Sequence, residues 1–299
     1  MIGKTPGGSQ ARCVVVFGGI DPGGGAGIAA DVRAGSLVGV LVAAIPAVLT
    51  VQSTSGLESV RDVDSRWMIA AGSRVFRDQR VGCIKTGAIG GNGRTIAKIL
   101  RAEGAKHVPV VIDPVILPTL VATGKAAEKG SLSSLRSLES LLPFADLVTP
   151  NGPEAERFSG LRVQDEMSAV AAAQVFIQKG AGAVLLKGGH WGPRDRVTDL
   201  FVMKGRSPLS FRSKRMELPP VHGGGCTLAS LIAAEISSRG HRRHAIKESD
   251  WRAIVLAARR RHQKLLRTSI DVGGKLRVLV EAREPGSARS EVALRSRRA

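Results

Sequence analysis

Residues 222–227 read His222-Gly223-Gly224-Gly225-Cys226-Thr227, and an amphipathic run through Leu228, Leu231, Ile232, Glu235 and Ile236 follows at once. Glycines opening a helix leave backbone N–H groups unpaired at the positive end of its dipole, a place suited to an anion such as phosphate. The same field favours thiolate over thiol, so Cys226 reads as a candidate base near neutral pH. The plainer alternative is a cysteine serving as a small buried hydrophobe.

Other clusters carry complementary chemistry. Lys187, in Leu185-Leu186-Lys187-Gly188-Gly189-His190, ends a buried strand, where a lysine needs an anionic partner. Asn151 and Glu154, in Thr149-Pro150-Asn151-Gly152-Pro153-Glu154, offer oxygen atoms to Mg²⁺ through water. Taken alone they better suit a helix start, Asn151 as N-cap ahead of Pro153 and Glu154 complementing the dipole. A third cluster runs from Gly18 to Asp31, and Gly25-Ala26-Gly27-Ile28-Ala29-Ala30 satisfies GxGxxA. The acidic ribose-binding residue expected about twenty positions later is missing, and the Asp21-Pro22-Gly23-Gly24-Gly25 loop is long for a tight turn, which argues against a dinucleotide site. The loop instead allows close backbone approach to a small ligand, with Asp31 reaching from the first helical turns or serving as an ordinary surface carboxylate. No GxxxxGK[ST], HExxH or GxSxG occurs, so neither a P-loop, a zincin site nor a nucleophile elbow is indicated.

Positioning these groups requires strands alternating with helices. Strand patterns fall at 13–17, 42–47, 83–85, 108–112, 147–149, 183–186 and 199–203. Helical patterns fall at 27–37, 65–76, 95–103, 131–142, 153–159, 164–179, 227–239 and 249–266. Alternation of this kind predicts a mostly parallel sheet covered on both faces, an α/β fold with sites beyond the carboxyl ends of its strands. Among 299 residues, 43% are hydrophobic, ample for a core. The division expected is a flexible terminus at 1–11, one domain at 12–270, and a basic, disordered tail at 271–299, where apolar periodicity stops.

Three scattered cysteines exclude a disulfide framework and point to a cytoplasmic, reducing setting. The first residues lack the apolar core of a signal peptide, and the apolar stretch 40–49 is too short to span a bilayer. The net charge of +19 concentrates late, in Arg259-Arg260-Arg261 and in Arg295, Arg297 and Arg298. Such a field attracts nucleotides or nucleic acid. Aromatics at 3%, with no Tyr, supply no stacking platform for single strands, and a solvated basic surface is the simpler reading.

Taken together the clusters resemble the hydroxymethylpyrimidine/phosphomethylpyrimidine kinases of thiamine biosynthesis, in the ribokinase-like superfamily. The resemblance runs through Gly19–Asp31, Val51-Gln52-Ser53-Thr54, Lys85-Thr86-Gly87-Ala88, Asp113-Pro114-Val115, Thr149–Ala155, Lys187–His190 and His222–Thr227, in order over about residues 12–260. It implies a three-layer α/β/α fold with a roughly nine-stranded sheet, and ATP with Mg²⁺ as phosphoryl donor to a pyrimidine hydroxymethyl group. It also implies roles. Gly19, Asp31, Gln52 and Val115 would meet the pyrimidine, and Cys226 would be the base, with Gly223, Gly224 and Gly225 forming the anion hole. Lys187, Thr149, Asn151 and Glu154 would attend the nucleotide, and Asp113 with Glu154 the metal. Family members commonly pair as homodimers.

The chain departs from the family pattern at several of these points. Gly224 replaces a Thr beside the phosphates, Ile20 a Ser or Thr, Ala29 a Gln and Ala88 a Met that lines the pyrimidine site. The segment after Val115 lacks the family's Ala-Lys-Ser-Gly. Two rival functions follow: a pyridoxal- or pyridoxine-type vitamer kinase, and a non-catalytic ligand-binding descendant whose basic tail binds nucleic acid.

Overall fold

The structure, a computed structural model, describes residues 11–103, 105–116 and 125–281. Its central strand β1 (Cys13–Ile20) is Cys-Val-Val-Val-Phe-Gly-Gly-Ile, buried at every position but the last. A strand without a polar face needs a layer on each side. Cys13, Val15 and Phe17 enter one core, while Val14 and Val16 enter the other, as the two-residue pleat requires.

Eight further strands complete the main sheet: β2 (Leu41–Ser53), β3 (Gly56–Asp62), β4 (Val81–Thr86), β5 (Val110–Ile112), β6 (Leu147–Val148), β7 (Ala183–Leu186), β8 (Arg196–Met203) and β9 (Leu209–Lys214). Their order is β3-β2-β1-β4-β5-β6-β7-β8-β9. In that order the strands from β2 to β7 run parallel; β3 pairs antiparallel with β2 at one edge, β8 runs antiparallel to β7, and β9, antiparallel to β8, regains the common direction. A separate short pair joins β10 (Val221–His222) to β11 (Arg277–Val278) in parallel.

The helices are α1 (Gly27–Val38), α2 (Ser65–Asp78), α3 (Gly93–Ala102), α4 (Lys125–Leu141), α5 (Gly152–Ser159), α6 (Glu166–Gln178), α7 (Gly224–Arg239) and α8 (Glu248–Arg267). Residues of α2 to α6 pack on one face of the sheet, and those of α1, α7 and α8 on the other. The three-layer α/β/α arrangement expected from the sequence is therefore present. Local chemistry sets the boundaries. Asp64 caps α2 by accepting from the backbone N–H groups of Arg66 and Trp67, and α1 stops at Gly39, which takes a left-handed φ of 74°. Helix α7 differs from a surface helix: Leu228 to Ser237 are all buried, so it runs through the interior.

The tail boundary expected at residue 271 is corrected. Val278 and Leu279 are buried, β11 pairs with β10, and the Gly273 carbonyl accepts from Thr54 Oγ1 at 3.0 Å. Two adjacent apolar residues hold this segment, too few to register as a period. Residues 1–10 and 282–299, and with them most of the expected flexible terminus and basic tail, lie outside the described residues. Among the described residues no helix is long and apolar enough to cross a membrane.

Candidate active site

The carboxyl ends of β4 to β7 deliver polar groups to one place. Lys85 sits near the end of β4, Asp113 follows β5, Thr149 follows β6 and Lys187 follows β7. The α7 N-terminus is aimed at the same place, with Gly223 as its N-cap at a φ of 74°. A Cβ on Gly223 would lie 2.2 Å from the Gly25 carbonyl oxygen, so the two glycine loops touch backbone to backbone. A Cβ on Gly225 would lie 3.0 Å from Lys187 Nζ, which puts that ammonium directly against the helix start.

Lys187 Nζ is 2.9 Å from Asp113 Oδ1 and 3.9 Å from Glu154 Oε2, and Thr149 Oγ1 donates to Asp113 Oδ1 at 3.2 Å. The helix-start reading of Asn151 and Glu154 is the one seen here. They form a reciprocal capping box on α5, with Asn151 N–H donating to Glu154 Oε2 at 2.8 Å and Glu154 N–H to Asn151 Oδ1 at 2.9 Å. Glu154 is nonetheless turned toward Lys187. Burial pushes the Glu154 carboxyl up to about 7 despite the opposing Lys187, and neighbouring Asp113 adds to the rise. Burial also works against an ionised Asp113, but Lys187 and Lys85 outweigh it and hold that carboxyl below its usual range. For Lys187 the carboxylates of Asp113 and Glu154 overcome burial and keep the ammonium charged.

Cys226 lies on the first turn of α7, partly exposed, within the field of the Asp113 carboxylate. The expected thiolate is corrected. Surrounding protein atoms and the Asp113 carboxylate push the thiol well above its ordinary value, Asp31 adds to this, and Lys85 with Lys187 offsets only part. The helix dipole argument omitted both the burial and the carboxylates.

Asp31 is placed differently from the substrate-facing role expected of it. It is 1% exposed, and its Oδ1 is 2.8 Å from Nζ of Lys85, a residue with no exposed surface. The Ser230 hydroxyl is hydrogen-bonded to the same carboxylate and lies 2.7 Å from the Cys226 carbonyl oxygen. Asp31 thus props the first turns of α7 from beneath. Lys85 and Ser230 carried no assigned role in the sequence reading. The available signal was a lysine inside the otherwise apolar strand Val81-Gly82-Cys83-Ile84-Lys85, where only a buried partner makes the charge tolerable.

On the other side of the glycine loops, Gln52 ends β2 with its Nε2 2.9 Å from His222 Nε2, and the same ring nitrogen is 2.9 Å from Asp21 Oδ2. Asp21 also accepts from the N–H groups of Gly23 at 2.9 Å and Ala26 at 2.8 Å, tying its loop into a fixed curl. Burial opposes its charge, yet the His222 ring and then these two N–H groups hold the Asp21 carboxyl below its usual range. Gly19 lies close by, since its Cβ would meet Val48 at 3.0 Å and Ala88 at 3.4 Å. Val115 is partly exposed just after Asp113. The segment 117–120, part of the departure noted after Val115, lies outside the described residues.

A buttress unforeseen from the sequence supports the Lys187 loop. Asp199 on β8 accepts from Gly188 N–H at 2.7 Å and pairs with Arg259 of α8, which also donates to Ser213 Oγ at 3.2 Å.

Two paired lysines, a glycine-loop helix start and a buried carboxylate set suit the handling of phosphate. The chain matches the family model described as phosphomethylpyrimidine kinase over residues 21–269. It is 32% identical to the hydroxymethylpyrimidine/phosphomethylpyrimidine kinase of Staphylococcus aureus strain MRSA252, covering 76% of this chain and 81% of that protein. It is 37% identical over 78% of its length to the thiamine biosynthesis bifunctional protein of Geobacter sulfurreducens, of which it spans about half, 46%. Among solved structures, pyridoxal kinase from Staphylococcus aureus with ADP superimposes with a TM-score of 0.76 at 21% identity, covering 93% of this chain and 96% of that one. That likeness is one of fold. Phosphomethylpyrimidine kinase from Clostridium difficile gives 0.64 at 25% identity, covering 84% and 99%. With a family match that takes in both glycine loops and every charged group gathered between them, the chain belongs to the phosphomethylpyrimidine kinase family.

Proposed function

We propose that this chain transfers a phosphoryl group from ATP to the hydroxymethyl group of hydroxymethylpyrimidine, and then to the resulting monophosphate. The observation that carries the proposal is the Lys187 ammonium lying against Gly225 at the α7 N-terminus, with Asp113 and Cys226 within the same cluster. Phosphoryl transfer asks for alignment and charge neutralisation more than for covalent chemistry.

The N–H groups of Gly223, Gly224 and Gly225 would receive the transferring phosphate, with Lys187 as countercharge. Gln52, Gly19 and Val115 would hold the pyrimidine ring. Cys226, on the first turn of α7, would take the proton of the hydroxymethyl oxygen. As a thiolate it would accept that proton; Lys85 and Lys187 favour the thiolate, while burial and the Asp113 carboxylate oppose it. Asp113 and Glu154 offer hard oxygen donors at a site already flanked by a cation, and Mg²⁺ is commonly held by one or two carboxylates together with phosphates. The donor set therefore fits Mg²⁺, which would neutralise phosphate charge when bound.

Incubation with Mg-ATP and hydroxymethylpyrimidine, pyridoxal or neither, followed by mass spectrometry, tests the reading. Phosphorylated hydroxymethylpyrimidine is expected in preference to pyridoxal phosphate. The reverse preference would make the chain a vitamer kinase, with Ala88 beside Gly19 the first position to examine. Absence of both products would favour a non-catalytic ligand-binding protein. Cys226→Ala should cut turnover ~10²-fold, as loss of a general base does, and an unchanged rate would remove the residue from that role.

We further place the protein in the cytoplasm, to which the three free cysteines Cys13, Cys83 and Cys226 are suited. The β2–β3 edge exposes Leu49, Val51 and Val60, an apolar strip suited to pairing with a second copy. Sedimentation equilibrium should show a dimer that Val51→Lys weakens. Nucleic-acid binding through the last residues would appear as salt-sensitive retention of DNA or RNA.

A further inference from the structure

Two side chains converge on one ring nitrogen beside the glycine loops. The Gln52 amide and the Asp21 carboxylate each lie 2.9 Å from His222 Nε2. His222 and Asp21 are buried, and a Cβ on Gly25 would run into the ring at Cδ2, so the imidazole packs against the backbone of the loop. Gln52 follows a register shift in the β2–β3 pairing, between Val51 and Gln52, and the Thr50 hydroxyl ties β2 to the Ile20 carbonyl at 2.8 Å. The other ring nitrogen, Nδ1, is buried with no hydrogen-bond partner.

These contacts decide which atom holds the ring proton. An ionised carboxylate only accepts, and against burial the His222 ring and the Ala26 and Gly23 N–H groups keep the Asp21 carboxyl below its usual range. Nε2 therefore carries the proton. On Nδ1 it would find no partner, and lone pairs would face each other between Nε2 and Asp21. A nitrogen that donates to Asp21 cannot accept from an amide NH2. The amide must meet the ring with its oxygen, which takes the place of the nitrogen after a half-turn about the last side-chain bond. Oε1 then joins Asp21 as an acceptor for the ring proton, and the NH2 is the end left over. Gln52 is half-buried and makes no other side-chain hydrogen bond among the described residues.

We propose that His222, held by Asp21, is a positioning residue that fixes the polarity of Gln52, so that its amide offers an N–H donor to the substrate ring and selects a ring with an unprotonated nitrogen. The proposal rests on the kinase reading above, with Gln52 at the pyrimidine. A ring that carries C–H or N–H at that point meets a donor and binds poorly, because the buried pair prevents the amide from turning to suit it.

Nitrogen NMR of the unaltered protein with isotope-labelled histidine, His222 being assigned through its backbone neighbours, reads the tautomer directly. A protonated Nε2 is expected, and a bare Nε2 would overturn the proposal. Steady-state kinetics with hydroxymethylpyrimidine and Mg-ATP test the consequence. His222→Phe keeps a ring in the space but removes the proton. It should raise KM for hydroxymethylpyrimidine by roughly 10-fold or more, while KM for ATP stays within about twofold. His222→Gln, whose amide nitrogen reaches about as far from the backbone as Nε2, should recover part of the loss. Thermal melts confirm that the variants fold. An unchanged KM for the pyrimidine in His222→Phe, or equal rises for both substrates, would overturn the proposal and leave the kinase reading standing. No product from the unaltered protein would overturn the kinase reading, and the proposal with it.

Discussion

Replacing Lys85 by Met tests the buried pair beneath the site. Lys85 has no exposed surface and Asp31 is 1% exposed, with 2.8 Å between the charges, so water cannot screen what is left when one partner is removed. Breaking a buried ion pair costs about 3–5 kcal/mol, because the remaining charge stays desolvated. Urea denaturation at pH 7 should therefore show Lys85→Met less stable by about 3–5 kcal/mol. The double variant Lys85→Met with Asp31→Leu should recover most of the loss, since an apolar pair needs no compensation. A deficit below about 1 kcal/mol, or a double variant less stable than the single one, would refute this account of the pair.

Two further outcomes follow from the loops and the chain end. Gly223→Ala should abolish measurable Mg-ADP binding and lower the thermal midpoint, because its Cβ would meet the Gly25 carbonyl oxygen at 2.2 Å with φ at 74°. Ending the chain at residue 270 should lower stability by about 3 kcal/mol or more, judged from urea midpoints, through loss of the buried Val278 and Leu279 side chains.

The fold was legible where burial leaves a plain pattern. Val14 to Phe17 can only be a strand covered on both sides, and the spacing of Ile96, Ala97, Ile99 and Leu100 places a helix face against the sheet. The edge strands were not legible. Gly56–Asp62 is exposed or half-exposed throughout, so its sequence Gly-Leu-Glu-Ser-Val-Arg-Asp shows no apolar alternation. Most of the site's polar groups were visible as types at loop positions, and the structure gathers Asp113, Thr149, Glu154, Lys187 and Cys226 together. Their partnerships were not visible, since partners lie far apart in sequence: Asp31 with Lys85, Asp21 with His222, Asp199 with Arg259. The thiol of Cys226 shows the consequence. Its position on a helix was readable, but the rise of its thiol comes from burial in the fold and from Asp113, more than a hundred residues earlier.

The pairing of Val221-His222 with Arg277-Val278 also bears on how the protein is made. The strand that leads into the Gly223-Gly224-Gly225 loop meets its partner only after 55 more residues, counted from His222 to Arg277, have been synthesised. At about 5–20 residues per second the ribosome takes roughly 3–11 s to supply them. Through that interval the nine-stranded sheet has all its strands, while the entry to the helix beneath Cys226 lacks its clasp. The nascent chain thus passes through a stage with a finished scaffold and an unfinished centre, and the last act of folding is to close the site.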